Sequence, residues 1–170
     1  MYKSNDDSII ENCYNTGKIS GINRGYSGGI VGFYNAGAES YIKYCYNTGE
    51  VRGKEELGGI VGCYFPCTSS SGSNTLISYC YNLGNIKETT STGGIVGRIS
   101  SGQLTGTTTF ANNCYFVSET ASAGIGQYGN TYQKTYTASK TSIISKIVAL
   151  SGYKKDSSNK NGGYPLLTWQ

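Results

Sequence analysis

Six cysteines are the side chains in this sequence best suited to chemistry. Four recur in one phrase: IIENCYNTG from Ile9, YIKYCYNTG from Tyr41, LISYCYNLG from Leu76 and FANNCYFVS from Phe110. An even count in an exported protein would suggest disulfides. Stacked strands would bring neighbouring copies within roughly 4.8 Å, a separation that a bridge can span. An inward ladder of free thiols packs equally well, because cysteine behaves as a small hydrophobe. That ladder, Cys13, Cys45, Cys80 and Cys114, is the reading taken here. Cys63 and Cys67 stand outside the phrase, in CYFPC, at the root of the longest loop, and are the candidate disulfide. Zinc is a poor fit, since the chain has no histidine and no C-x2-C pair.

The carboxylates offer less. Glycan-cleaving chemistry needs two acids converging on one face. Here Asp occurs at 6, 7 and 156 and Glu at 11, 39, 50, 55, 56, 88 and 119, with no common slot from repeat to repeat. The Glu50 slot holds Lys18 in the first copy and Asn85 in the third, and Glu55-Glu56 reads as a solvated corner. Without histidine the commonest general base is missing too. No catalytic, metal or cofactor-binding residue is assigned, and the chain is expected not to be an enzyme. GGIVG lacks the Asp of calcium-binding repeats, and its glycines open a strand rather than a phosphate loop. Ladders of Thr that might bind ice break at Leu83.

What would position these residues is the repeat itself. The recurring Cys steps by 32, 35 and 34 residues, and a second refrain, GGIVG, starts at Gly28, Gly58 and Gly93 before fading to AGIG from Ala123. Periods of this kind mean stacked units, none of which buries its apolar face alone. Each unit carries glycines that would cost a helix about 1 kcal/mol apiece, so the units are strands and turns. The expected fold is all-β: a parallel β-solenoid, a three-faced β-helix of about four coils, with a C-terminal helix-and-strand cap. Repeats fall at 9–40, 41–75, 76–109 and 110–131, within a unit spanning 1–131, and the cap at 132–170.

In the second copy, Tyr41 to Tyr46 makes a first strand and Asn47-Thr48-Gly49 a corner, where Asn and Gly tolerate the left-handed backbone. Glu50-Val51-Arg52 is a short second strand, and Gly58 to Tyr64 a third. Which way the Cys points stays open. The position three before it is apolar in every copy and the position two before is polar. A bend between them would turn both the aliphatic and the Cys inward. The alternative puts Tyr14, Tyr46, Tyr81 and Tyr115 inside. In the cap, TSIISKIVAL has helical spacing up to Gly152, and Trp169 in GYPLLTWQ is expected to pack over the last coil.

C-Y-N-x-G-x-[IV] followed by G-G-I-V-G closely resembles the GLUG-motif repeats of large bacterial cell-surface proteins, also found beside immunoglobulin A peptidase domains. The resemblance covers about 9–130 for the repeats and 141–170 for the closing segment; in the fourth copy Phe116 and Ser118 replace the corner Asn and Gly. It implies an exported or cell-wall-associated, modular, adhesive protein and no catalytic residues. Met1 followed by a mid-repeat register suggests a piece of a longer protein, with any signal or anchor outside it. A secreted enzyme's accessory domain is the alternative, and a fibre subunit assembling through open ends is another.

The candidate binding surface is aromatic: Tyr44 and Tyr79, which share a slot with Asn12 and Asn113, plus Tyr26, Tyr34 and Tyr64. Rigid amphipathic tyrosines suit glycans or protein partners, though a tyrosine ladder also simply stabilises a sheet. The basic residues, 14 against 10 acidic, are scattered and give no nucleic-acid footprint. No apolar run is long enough to span a membrane.

Overall fold

The computed structural model describes residues 8–21, 25–37, 39–65, 77–87, 92–100, 110–127 and 133–170. Among these the chain is mostly β, with one helix, Lys140–Val148. Strands of one repeat pair in parallel with the strands of the next, in the register that the refrains imply. Ile10 partners Ile42, Ile42 partners Ile77, and Ile77 partners Ala111. The same holds for Ile19, Val51 and Ile86, and for Val31, Val61, Val96 and Ile125. Four parallel sheets result among the described residues. This arrangement is compatible with an all-β parallel solenoid.

The first strand is cut in two in the first three repeats, while in the fourth it runs unbroken as Ala111–Val117. Tyr41–Lys43 and Tyr46–Asn47 are separate strands, with Tyr44 between them at φ 52°. Asn12, Tyr79 and Asn113 hold the same left-handed backbone at φ 56°, 54° and 51°. This turn resets side-chain parity, so Ile42 and Cys45 both reach the core and both are fully buried. Each Cys also donates its thiol to the carbonyl two residues back: Cys45 to Lys43 at 3.3 Å, Cys80 to Ser78 at 3.2 Å. A small apolar side chain with a weak donor fits that slot.

Tyr46 and Tyr81 point the other way, yet both are fully buried. Their rings stack at 4.9 Å with planes 2° apart, and Tyr14 adds to the stack at 5.2 Å. What covers them is the C-terminal segment. Ile143 and Ile147, one turn apart on the helix, join Val117, Tyr153 and Leu167 in a second core against these rings. The antiparallel pair Tyr153–Lys154 and Leu166–Leu167 lies beside it. Tyr81 donates to the Pro165 carbonyl, and Tyr46 to Oε1 of Gln170 at 3.0 Å. The segment therefore lies along the flank of the stack. Trp169 does not pack over the last repeat as expected: it is 60% exposed and 6.1 Å from Tyr14 of the first. The reason is the direction of the hairpin, which carries the chain end back along the tyrosine stack. Gln133–Ala138, assigned to the cap by sequence, is one more parallel strand, paired with Ala111–Val117.

The two refrains meet at the corner. Asn47 donates from Nδ2 to the Gly49 carbonyl (2.8 Å) and to Oδ1 of Asn82 (2.8 Å), while its Oδ1 accepts from the Gly49 N–H (3.1 Å) and from Nδ2 of Asn15 (2.8 Å). Asn82 closes its own turn onto Gly84 in the same way. The Asn thus closes its turn and stitches it to the neighbours.

Candidate functional site

The five tyrosines singled out from sequence do not form one surface. Tyr34 and Tyr64 are buried and belong to the main core, their rings 5.4 Å apart. The break at Gly59 and Ile60, between the strands Leu57–Gly58 and Val61–Phe65, turns Tyr64 inward. Neither is available to a ligand. Tyr44 and Tyr79 stack at 5.1 Å and are half-buried, with the Lys43 ammonium 4.9 Å and 5.6 Å from the two ring centres. Tyr153 closes on them from the C-terminal segment, 6.5 Å edge-on to Tyr44, and donates to the Tyr79 carbonyl at 2.7 Å. They are mainly a seam between stack and cap.

Tyr26 is different. It is 42% exposed, and its ring lies 5.4 Å from that of Phe33, which is 49% exposed. Phe65, 43% exposed, continues the row 6.4 Å from Phe33. Phe33 and Phe65 lie on the sheet formed by Val31–Asn35, Val61–Phe65, Val96–Ile99 and Ile125–Gln127, and Tyr26 precedes the strand Ser27–Gly28. Sequence reasoning missed Phe33 and Phe65. For Phe33 the available signal was the slot directly after the refrain GGIVG, which holds Phe33, Cys63 and Arg98 in register with one another; Phe65 lies two residues further along, in register with Asn35.

Cys63 sits in that register as a free, buried thiol, pushed up to about 11 first by burial and then by the nearby Glu56 carboxylate. It carries no disulfide in this structure, and its suggested partner Cys67 lies outside the described residues. Of the repeated cysteines, Cys45, Cys80 and Cys114 are buried free thiols, and Cys13 is a free thiol exposed at the first repeat. Cys13 is therefore not a core residue: no described strand covers its outer side. Burial raises the Cys80 thiol well above its ordinary range. Among the described residues no group of three or more Cys, Asp or Glu is placed to hold a metal ion.

The carboxylates with resolved partners are each engaged. Glu50 receives Arg52 Nε at 2.7 Å, Lys87 Nζ at 3.1 Å and Lys18 Nζ at 3.3 Å. Lys87 first, then Lys18 and Arg52, hold its carboxyl below the usual range. Glu56 pairs with Arg98, whose guanidinium it pushes up. Asp156 accepts the backbone N–H groups of Asn161 (2.7 Å), Lys160 (2.9 Å) and Gly163 (3.1 Å). Loss of hydration works to raise the Asp156 pKa, but these N–H groups and that of Ser158 outweigh it and lower it. Basic residues scattered in sequence are thus gathered around Glu50, which sequence reasoning did not anticipate. The signal was their place within three residues of each corner glycine, Lys18 after Gly17, Arg52 after Gly49 and Lys87 after Gly84. No helix among the described residues is long and apolar enough to cross a membrane.

Compared with known proteins, the chain matches no family model, no curated protein and no solved structure.

Proposed function

We propose that this chain is a non-catalytic adhesive and structural module of a bacterial surface or secreted protein, built as a three-faced parallel β-solenoid of about four coils. It binds glycan or host protein through the row Tyr26, Phe33 and Phe65. The observation that carries this reading is the row itself: three neighbouring aromatic rings, each more than 40% exposed, two of them (Phe33 and Phe65) on paired parallel strands and Tyr26 just ahead of the strand Ser27–Gly28. Exposed apolar patches on a soluble domain mark contact sites, and rigid aromatics are favoured at them because little rotamer freedom is lost on binding.

The test is an array of glycans and extracellular host proteins probed with the chain and with Phe33→Ser/Phe65→Ser. Binding to at least one probe, weakened about tenfold or more in the variant with an unchanged melting temperature, is the expected result. An empty array, or equal binding by both proteins, contradicts the reading.

A further inference from the structure

The corner that follows each Asn-x-Gly turn gathers charge. Ser20, Arg52 and Lys87 occupy one register position on three successive parallel strands. Lys18 and Glu50 occupy an equivalent position two residues earlier. Glu50 is 23% exposed and lies at the centre, while Lys18, Arg52 and Lys87, 55%, 47% and 51% exposed, converge on it from three repeats. Three cations share one carboxylate, so the cluster keeps a positive excess. It borders an open groove of about 380 Å³ lined by Ser20, Gly21, Arg52, Gly53, Lys54 and Lys87.

Paired backbones hold these cations at a spacing set by the strands, roughly 4.8 Å per repeat. Their mutual repulsion cannot be relieved by moving the repeats apart; an arriving anion relieves it. Among the described residues that line it, the groove has no aromatic side chain on which a nucleic-acid base could stack. Its central acceptor, Glu50, would repel a closely spaced row of phosphates. A polymer with well-spaced anionic groups and hydroxyls between them meets both features. The anionic group sits among Arg52, Lys54 and Lys87, and sugar hydroxyls donate to Glu50 and exchange hydrogen bonds with Ser20.

We propose that this groove binds an anionic polysaccharide lying along the stack. The inference rests on the reading of the chain as a binding module and names a glycan class for it, at a site separate in residues from the aromatic row. The shared chemistry is a sugar-borne anion, which a uronate carboxylate or a sulfate ester supplies.

The experiment titrates the full chain calorimetrically with hyaluronan oligosaccharides, heparin oligosaccharides, neutral dextran and single-stranded oligothymidylate, at low salt and at about 0.3 M salt. At least one of the two acidic glycans binds at low salt and dextran does not. Affinity falls about tenfold or more at the higher salt. Arg52→Gln/Lys87→Gln, with both side chains at the surface, weakens binding about tenfold, whereas Lys155→Gln and Phe33→Ser/Phe65→Ser leave it unchanged. Binding to hyaluronan alone assigns the carboxylate as the recognised group, and binding to heparin alone the sulfate. Absence of binding to both acidic glycans at low salt, equal binding by the double variant, or oligothymidylate binding as tightly overturns the proposal. Should the array ligand of the aromatic row still bind while both acidic glycans fail, this inference falls and the functional reading stands.

Discussion

A Cβ built on Gly59 would lie 2.3 Å from Cγ of Asn82 and 2.1 Å from the carbonyl oxygen of Gly94. The second glycine of one refrain is thus the floor on which the next repeat's asparagine rests. Gly29 stands in the same relation to Asn47, and Gly94 to Phe116. The two refrains recur together because each fills the space that the other leaves.

Gly59→Ala therefore cannot be absorbed by a rotamer change, because one of the obstructing atoms is backbone. The substitution is expected to cost about 3 kcal/mol, at the upper end of overpacking effects. Urea denaturation measures it; a loss well under about 1 kcal/mol would show that the approach of Gly59 to Asn82 is not tight.

Asn47 is fully buried and uses both donors and both acceptors of its amide. Asn47→Ala removes one of the two partners of Asn15 Nδ2, which keeps the Gly17 carbonyl, and one of the two of Asn82 Oδ1, which keeps the Gly84 N–H, and it opens its own turn. The expected loss is about 2–3 kcal/mol. Asn15→Ala, at the half-buried end of the row, costs less. The reverse order in denaturation experiments would contradict a stitched corner.

Thiol labelling follows burial. Under native conditions Cys13 reacts first with iodoacetamide, and Cys45, Cys80 and Cys114 stay protected until the chain unfolds. Cys63 reacts faster as pH rises toward about 11, because only the thiolate attacks. Peptide mapping distinguishes the sites. A bridge between Cys45 and Cys80 in freshly purified protein would contradict the free thiol ladder.

Asp156 sets the acid response of the C-terminal segment. Its folded pKa lies below the unfolded value of about 3.9, so its contribution is complete above that pH and is lost as pH falls through the folded value. Melting of the segment, followed by the fluorescence of Trp169, is expected to destabilise steeply below about pH 4 in the wild type. In Asp156→Asn the melting point is lower at neutral pH and the acid slope is shallower. An identical acid slope in both proteins would assign the transition elsewhere.

The period, the parallel registers and the helix were legible because they follow from spacing alone: the pairing of Ile42 with Ile77 repeats the step from Cys45 to Cys80. The orientation of single side chains was not. A bend turning both Ile42 and Cys45 inward was one of the two readings that the apolar and polar slots left open, and the left-handed residue at Tyr44 supplies it, though only asparagine at positions 12 and 113 of that slot hints at the conformation. Tyr64 was placed outside because the second break, after Gly58, was not foreseen. Tyr46 and Tyr81 are buried by a segment whose docking side no local pattern encodes. The charge cluster at Glu50 was hidden for a related reason: its members are far apart in sequence and adjacent only once register is known.

The central claim, that successive repeats stack in register through the asparagine corner, is tested most directly by trans-hydrogen-bond scalar couplings in isotope-labelled protein. The amide of Leu83 is expected to couple to the carbonyl of Asn47, and that of Thr48 to the carbonyl of Asn15, both across N···O distances of 2.9 Å. A coupling from either amide to a carbonyl of its own repeat would contradict the stack.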